Sequence, residues 1–183
     1  FEESNLFLKW YLPNVIQKKM KKKLKYKIKI YFLKILNKLK YKNNVFVHRD
    51  FHVSNLMDYK NDISIIDNQD AVYGNIAYDL ASLIDDVRFK TTNNEKKEIF
   101  NYYMKKNKQL NFIKFKNDFE ILSVLRNLKI IGIFTRLSIR DKKNNYLKLI
   151  PYAWKLIKLR IKDNDNLYLL KIVLDQYFLK KYL

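Results

Sequence analysis

Apolar side chains recur at three- and four-residue spacing over most of this 183-residue chain, and the texture changes at residues 45–70. Such spacing lines one face of an α-helix, so the chain must fold as a helical body with a short β-type interruption. Met20, Leu24, Ile28, Tyr31, Phe32, Ile35 and Leu39 make one such face, with lysines turned outward. Residues 1–12, "FEESNLFLKWYL", read as a helix ended before Pro13, because proline disfavours a helical residue ahead of it. "IAYDLASLIDDV" is helical in spacing, and further helices are expected near 95–107, 115–140, 146–161 and 165–181. Asn/Lys/Asp-rich turns such as "TTNNE", "RDKKNN" and "KDNDN" separate them. Within the interruption, "VFV" is a short β-type run, and "LMDY" and "ISII" flank the turn residues "KND" as a β-hairpin. The expected class is α+β, mostly α-helical, with one small hairpin.

Composition narrows the function classes. There is no cysteine, which removes disulfides and thiolate metal sites and fits a reducing, cytoplasmic setting. No apolar run approaches the ~20 residues that cross a bilayer, and no signal-peptide pattern is present. The formal net charge of +20 fits a nucleic-acid or anionic-membrane partner. It also fits codon bias, since Lys, Asn, Ile, Tyr and Phe abound and only two Gly and two Pro occur. The run "KKMKKKLKYKIK" reads either as a phosphate-binding stretch or as a solvated helix face.

The chemistry concentrates in "VFVHRDFHVSNLM", residues 45–57. With the hairpin turn centred on Asn61, Asn55 and Asp67 lie six residues to either side. Directly opposed residues of an antiparallel pair sit ~5 Å apart, so the amide oxygen and the carboxylate are expected to share one hard cation. Mg²⁺ suits such a clip, because it takes few protein oxygens and completes its shell with water and phosphates. Asp50, five residues before Asn55, is placed to accept the proton of an attacking hydroxyl. His48 and His52 flank Asp50, but no further His or Cys completes a transition-metal site.

"VHRDFHVSNLM…ISIIDNQDA" resembles the catalytic and metal loops of the aminoglycoside phosphotransferase family, within the protein-kinase-like fold. "FLKWYLP", "DAVYGNIAYDLASLIDDVR" and "LRNLKIIGIFTRLSIRDKKNNYLKLIP" are similar to its bacterial anomeric N-acetylmuramate/N-acetylglucosamine kinases of cell-wall sugar recycling. The resemblance implies a catalytic base at Asp50, Mg²⁺ ligands at Asn55 and Asp67, ATP as donor and an amino sugar as acceptor. It implies that Asp79 holds the catalytic loop by accepting backbone N–H bonds; an ordinary acid capping a helix start is the alternative. It makes His48, Arg49 and His52 supports of that loop. Asp70 either orients the metal loop, meets substrate or caps a helix. Arg126 and Arg136, on one helix, serve a sugar or phosphate, or else a surface or an ion-pair role.

The sequence departs from the family pattern in two places. "IDNQDA" puts Asn68 where the family carries an aromatic that packs under the metal loop. The glycines, Gly74 and Gly132, both follow the catalytic loop, so no glycine-bearing phosphate loop precedes it. Residues 1–183 are therefore expected to form a kinase-like C-terminal lobe with its catalytic hairpin at 45–70, missing the N-terminal nucleotide-binding lobe and inactive alone. Two rivals stand beside the amino-sugar kinase. One is a related kinase acting on an aminoglycoside, choline or homoserine. The other is an inactive, basic kinase-like module holding nucleic acid or an anionic membrane, against which the retained Asp50, Asn55 and Asp67 argue; a nucleic-acid partner is not expected.

Overall fold

The computed structural model describes residues 3–178. The chain divides into two compact units, residues 39–123 forming one and the flanking segments, up to 38 and from 124, the other. The second boundary, between Ser123 and Val124, falls inside one long helix.

In the flanking unit, a π-helical turn over Phe7–Tyr11 runs into helix α1 (Leu12–Val15). The helix is therefore not ended before Pro13. The wide turn carries the Leu12 N–H to the Phe7 carbonyl, and Pro13, having no N–H of its own, sits in the first turn of α1. Helix α2 (Lys21–Leu36) follows and buries Leu24, Ile28, Phe32 and Ile35, whereas Met20 is 40% exposed. Later in the chain this unit adds the end of α5 (Phe112–Asp141), a 3₁₀ turn over Asn144–Leu149, α6 (Ile150–Ile161), another over Asp165–Leu167 and α7 (Tyr168–Tyr177). The end of the helix expected to reach 181 lies outside the described residues. Phe7, Tyr11, Trp154 and Phe178 form an aromatic core, with Trp154 stacked on Phe178 at 6.0 Å between centroids. Gly132 is required here by close approach: an added Cβ would overlap the Leu6 carbonyl.

Residues 39–123 hold the β structure. Strand β1 (Asn43–Val47) leads to a loop, then to β2 (Leu56–Tyr59) and β3 (Asp62–Ile65), and a second loop leads to β4 (Val72–Asn75). β2 pairs with β3, and β1 pairs antiparallel with β4. The expected single hairpin is thus nested inside a second two-stranded ladder. The turn residues Lys60 and Asn61 have φ of 52° and 67°, the left-handed pair of a type I′ turn. Helix α3 (Tyr78–Ile84) and α4 (Asn93–Lys106) complete the unit. Ala77, Leu80, Ala81 and Ile84 pack with Phe115, Phe119 and Leu122 of α5.

Two buried carboxylates tie this unit together. Asp118, fully buried, accepts the backbone N–H groups of Lys40 and Tyr41 and the amides of Asn75 and Asn117, at 2.8–3.0 Å. Asp85 faces Lys96 Nζ at 3.3 Å and accepts Ser123 Oγ at 2.6 Å. Lys96 also donates to the Ile84 carbonyl and Thr91 Oγ1, so its buried cation is surrounded by acceptors.

Asp118→Ala orphans several donors in the interior. Its cost should be about 3 kcal/mol or more, read from the urea unfolding midpoint, against less than about 1 kcal/mol for Asn117→Ala.

Candidate active site

The nested ladders decide where the two loops go. Residues 48–55 leave β1 and enter β2, and residues 66–71 leave β3 and enter β4. Because β1 pairs with β4 and β2 with β3, both loops are spanned at each end by a ladder and must face one another. Hydrogen bonds cross between them. The Ile66 N–H donates to the Asn55 carbonyl at 3.1 Å. His48 Nε2 meets the Ile66 carbonyl at 3.0 Å, which requires the proton on Nε2. Arg49 Nη1 donates to the Asp70 carbonyl at 3.0 Å.

Asp79 anchors the first loop from the start of α3. Its Oδ2 accepts the His48 N–H at 2.7 Å and its Oδ1 accepts the Arg49 N–H at 3.0 Å. Arg49 has φ of 72°, so the chain turns sharply where these bonds are made. The Tyr103 hydroxyl is pushed above its ordinary pKa, by burial first and by the negative charge of Asp79 second.

Within the loop, the Asp50 carbonyl accepts the His52 N–H at 3.0 Å and Asn55 Nδ2 at 2.9 Å. The second bond holds the Asn55 amide through Nδ2 and leaves Oδ1 as its acceptor. Asp50 and Asn55 are half-buried, while Asp67, Asn68 and Asp70 are exposed. His48 and His52 are buried, 4% and 7% exposed, which fits support better than ligation. His48 Nδ1 has no hydrogen-bond partner among the described residues.

The register corrects the expected symmetry. The hairpin is centred on the Lys60–Asn61 peptide, with Leu56 opposite Ile65, so Asn55 stands across from Ile66 and Asp67 lies one residue further. A continued strand would turn Asp67 to the face opposite Asn55. Its φ of 64° breaks that alternation. Asp70 caps no helix, because β4 intervenes before α3 begins at Tyr78. Arg126 and Arg136 belong to the other unit. Arg126 is only 4% exposed rather than a surface residue, and its Nε and Nη1 have no hydrogen-bond partner among the described residues, as is true of Arg136 Nε.

Asn55 Oδ1 and the Asp67 carboxylate are oxygens of the kind that a hard cation accepts. Among the described residues, no group of three or more His, Cys, Asp or Glu forms a closed metal cage. A cleft of about 280 Å³ is lined by Phe46, His48, Phe51, Ile65, Asn68 and Asp79.

Asn75 and Asp118 were not singled out by sequence reasoning. Asn75 Oδ1 accepts the Ala77 N–H at the start of α3, and its Nδ2 donates to Asp118 and to the Tyr41 carbonyl. The available signal was an acid within the apolar row of Phe115, Phe119 and Leu122.

Asp79→Ala should speed hydrogen exchange at the His48 and Arg49 amides by roughly tenfold or more while leaving α5 protected, as followed by NMR. Asn68→Phe adds apolar volume to the cleft beside His48. It should raise stability by about 1 kcal/mol, measured as a higher urea midpoint.

A profile of the phosphotransferase enzyme family (APH) matches residues 1–109. The chain is 34% identical over 155 residues to the N-acetylmuramate/N-acetylglucosamine kinase of Neisseria meningitidis serogroup B, covering 81% of this chain and 46% of the relative. Like-named kinases of Pseudomonas aeruginosa and Caulobacter vibrioides are 31% and 33% identical, covering 67% and 60% of this chain and 38% and 32% of their own lengths. The chain thus spans less than half the length of these relatives. With its profile matched over more than half of the residues, the chain belongs to the phosphotransferase enzyme family.

Proposed function

We propose that residues 45–70 form the acceptor-activating and metal-binding half of an ATP- and Mg²⁺-dependent phosphotransferase, in a chain that is a kinase-like C-terminal lobe. The observation that carries this reading is the pair of loops clamped face to face. Their structural bonds use backbone, His48, Arg49 and Asp79 while sparing the Asp50 carboxylate, Asn55 Oδ1 and the Asp67 carboxylate. Asp50 accepts the proton of the attacking hydroxyl. Asn55 and Asp67 hold the cation, and Asp79 keeps the loop bearing Asp50 in position. Bound there, Mg²⁺ neutralises and orients the phosphates of ATP. Fixed geometry suits the reaction, because phosphoryl transfer draws on positioning and charge more than on covalent help.

The acceptor is an amino sugar of the N-acetylmuramate or N-acetylglucosamine kind, phosphorylated at the anomeric hydroxyl. The names of the relatives support this choice. So does the net charge of +20, which disfavours a polycationic aminoglycoside. The lobe that closes over ATP is assigned to the portion of these enzymes outside the matched stretch. A reaction supplied by ATP fits a cytoplasmic protein.

In an enzyme of full family length carrying these residues, Asp50→Ala should lower kcat by about 10²–10⁴-fold with an unchanged unfolding midpoint. Transfer of labelled phosphate from ATP to N-acetylmuramate is the assay, and a fully active Asp50→Ala enzyme removes the assignment of the base.

A further inference from the structure

The lysine-rich helix α2 takes no part in the site, and its charge is local. Twelve lysines fall within residues 18–42, and all 18 Asp and Glu residues of the chain lie outside residues 4–49. Codon bias accounts for abundant lysine but not for an acid-free stretch of this length.

The arrangement around the helix is more telling than the count. At 100° per residue, Leu24, Ile28, Phe32 and Ile35 share one face, and all four are buried. On the opposite face, Tyr26, Ile30 and Leu33 follow at i, i+4 and i+7. Tyr26 is 68% and Leu33 45% exposed, and Ile30 is half-buried. Lys22, Lys25 and Lys29 flank this outer stripe on one side, and Lys23, Lys27 and Lys34 flank it on the other. The helix therefore carries two apolar stripes, and the core uses only one.

We propose that the outer face of α2 is a docking surface for the anionic surface of a phospholipid bilayer. A narrow apolar stripe between two rows of long cationic side chains suits the headgroup boundary. The apolar groups enter it, and the lysines lie over acidic headgroups. Nucleic acid fits less well. The stretch before Arg49 has no arginine to grip phosphates bidentately, and Ile30 and Leu33 neither stack on bases nor hydrogen-bond. A second copy presenting the same face would oppose like charges. No helix among the described residues is long and apolar enough to cross a membrane, so the contact is peripheral. The proposal does not depend on the phosphotransferase reading.

Co-sedimentation of this chain with lipid vesicles tests it. The chain should pellet with phosphatidylcholine vesicles containing phosphatidylglycerol, not with phosphatidylcholine alone, and binding should weaken as salt is raised. The double variants Lys22→Glu/Lys25→Glu and Lys23→Glu/Lys34→Glu should each weaken binding by more than about tenfold. Tyr26→Ser/Leu33→Ser, which keeps every charge, should also weaken it by about tenfold. All these positions are exposed, so the thermal unfolding midpoint serves as the folding control. The proposal is overturned if neither vesicle binds or if phosphatidylcholine alone binds equally well. It is also overturned if the folded charge-reversal variants bind like the parent, or if Tyr26→Ser/Leu33→Ser binds unchanged while duplex DNA displaces the chain from vesicles.

Discussion

The carboxylate of Asp118 is the fixed point of the unit that carries the candidate site. It has no exposure to water, so its charge is tolerated only because backbone N–H groups and amides converge on it. Lys40 and Tyr41 lead into β1, Asn75 ends β4, and Asp118 itself lies on α5. One side chain thereby joins the outer ladder to the helix behind it. From Asn75 the bonds continue to Ala77 and the start of α3, then through Asp79 to His48 and Arg49, and across to Ile66 and Asp70. A continuous polar path runs from the interior to both loops. Each member is held by its neighbours, and such connected networks favour a single arrangement.

The division of labour among the acids follows from that path. Asp118, Asp85 and Asp79 are spent on structure, accepting N–H, O–H or ammonium groups in buried or half-buried places. Asp50 and Asp67 keep their carboxylates out of that bonding. The flanking unit, in contrast, is organised mainly by aromatic packing around Phe7, Tyr11, Trp154 and Phe178.

How much of this was legible in the sequence depended on whether the signal was local. The strand "LMDY" lies at Leu56–Tyr59 as its pattern suggested, and the turn residues adopt the left-handed pair that such a tight hairpin needs. Helices α4, α5 and α6 stand close to the spans their periodicity indicated. Strand β4 was missed because "VYGN" is short, contains glycine and owes its conformation to pairing with a strand distant in sequence. Pro13 was misjudged because a π turn absorbs what proline breaks in a regular helix. For the candidate site, the residues of the two loops could be read as a set, since they cluster in "HRDFHVSN" and "DNQD". Their exact opposition could not, because half a residue of turn register and the backbone twist at Asp67 decide it. Asp118 and Asn75 escaped notice because a buried acceptor looks in sequence like any polar residue of a helix or turn.

The nesting of the ladders also separates the hairpin tip from the loops. Both loops lie between β1/β4 and β2/β3, whereas Lys60 and Asn61 close the far end of the inner pair. Lengthening β2 and β3 together, residue for residue, would move the tip outward and leave the loops where they are. Adding to one strand alone would slip the register and turn its side chains to the other face. The hairpin is thus an arm whose length can drift in paired steps without disturbing its base, and a natural place to graft a tag or a label.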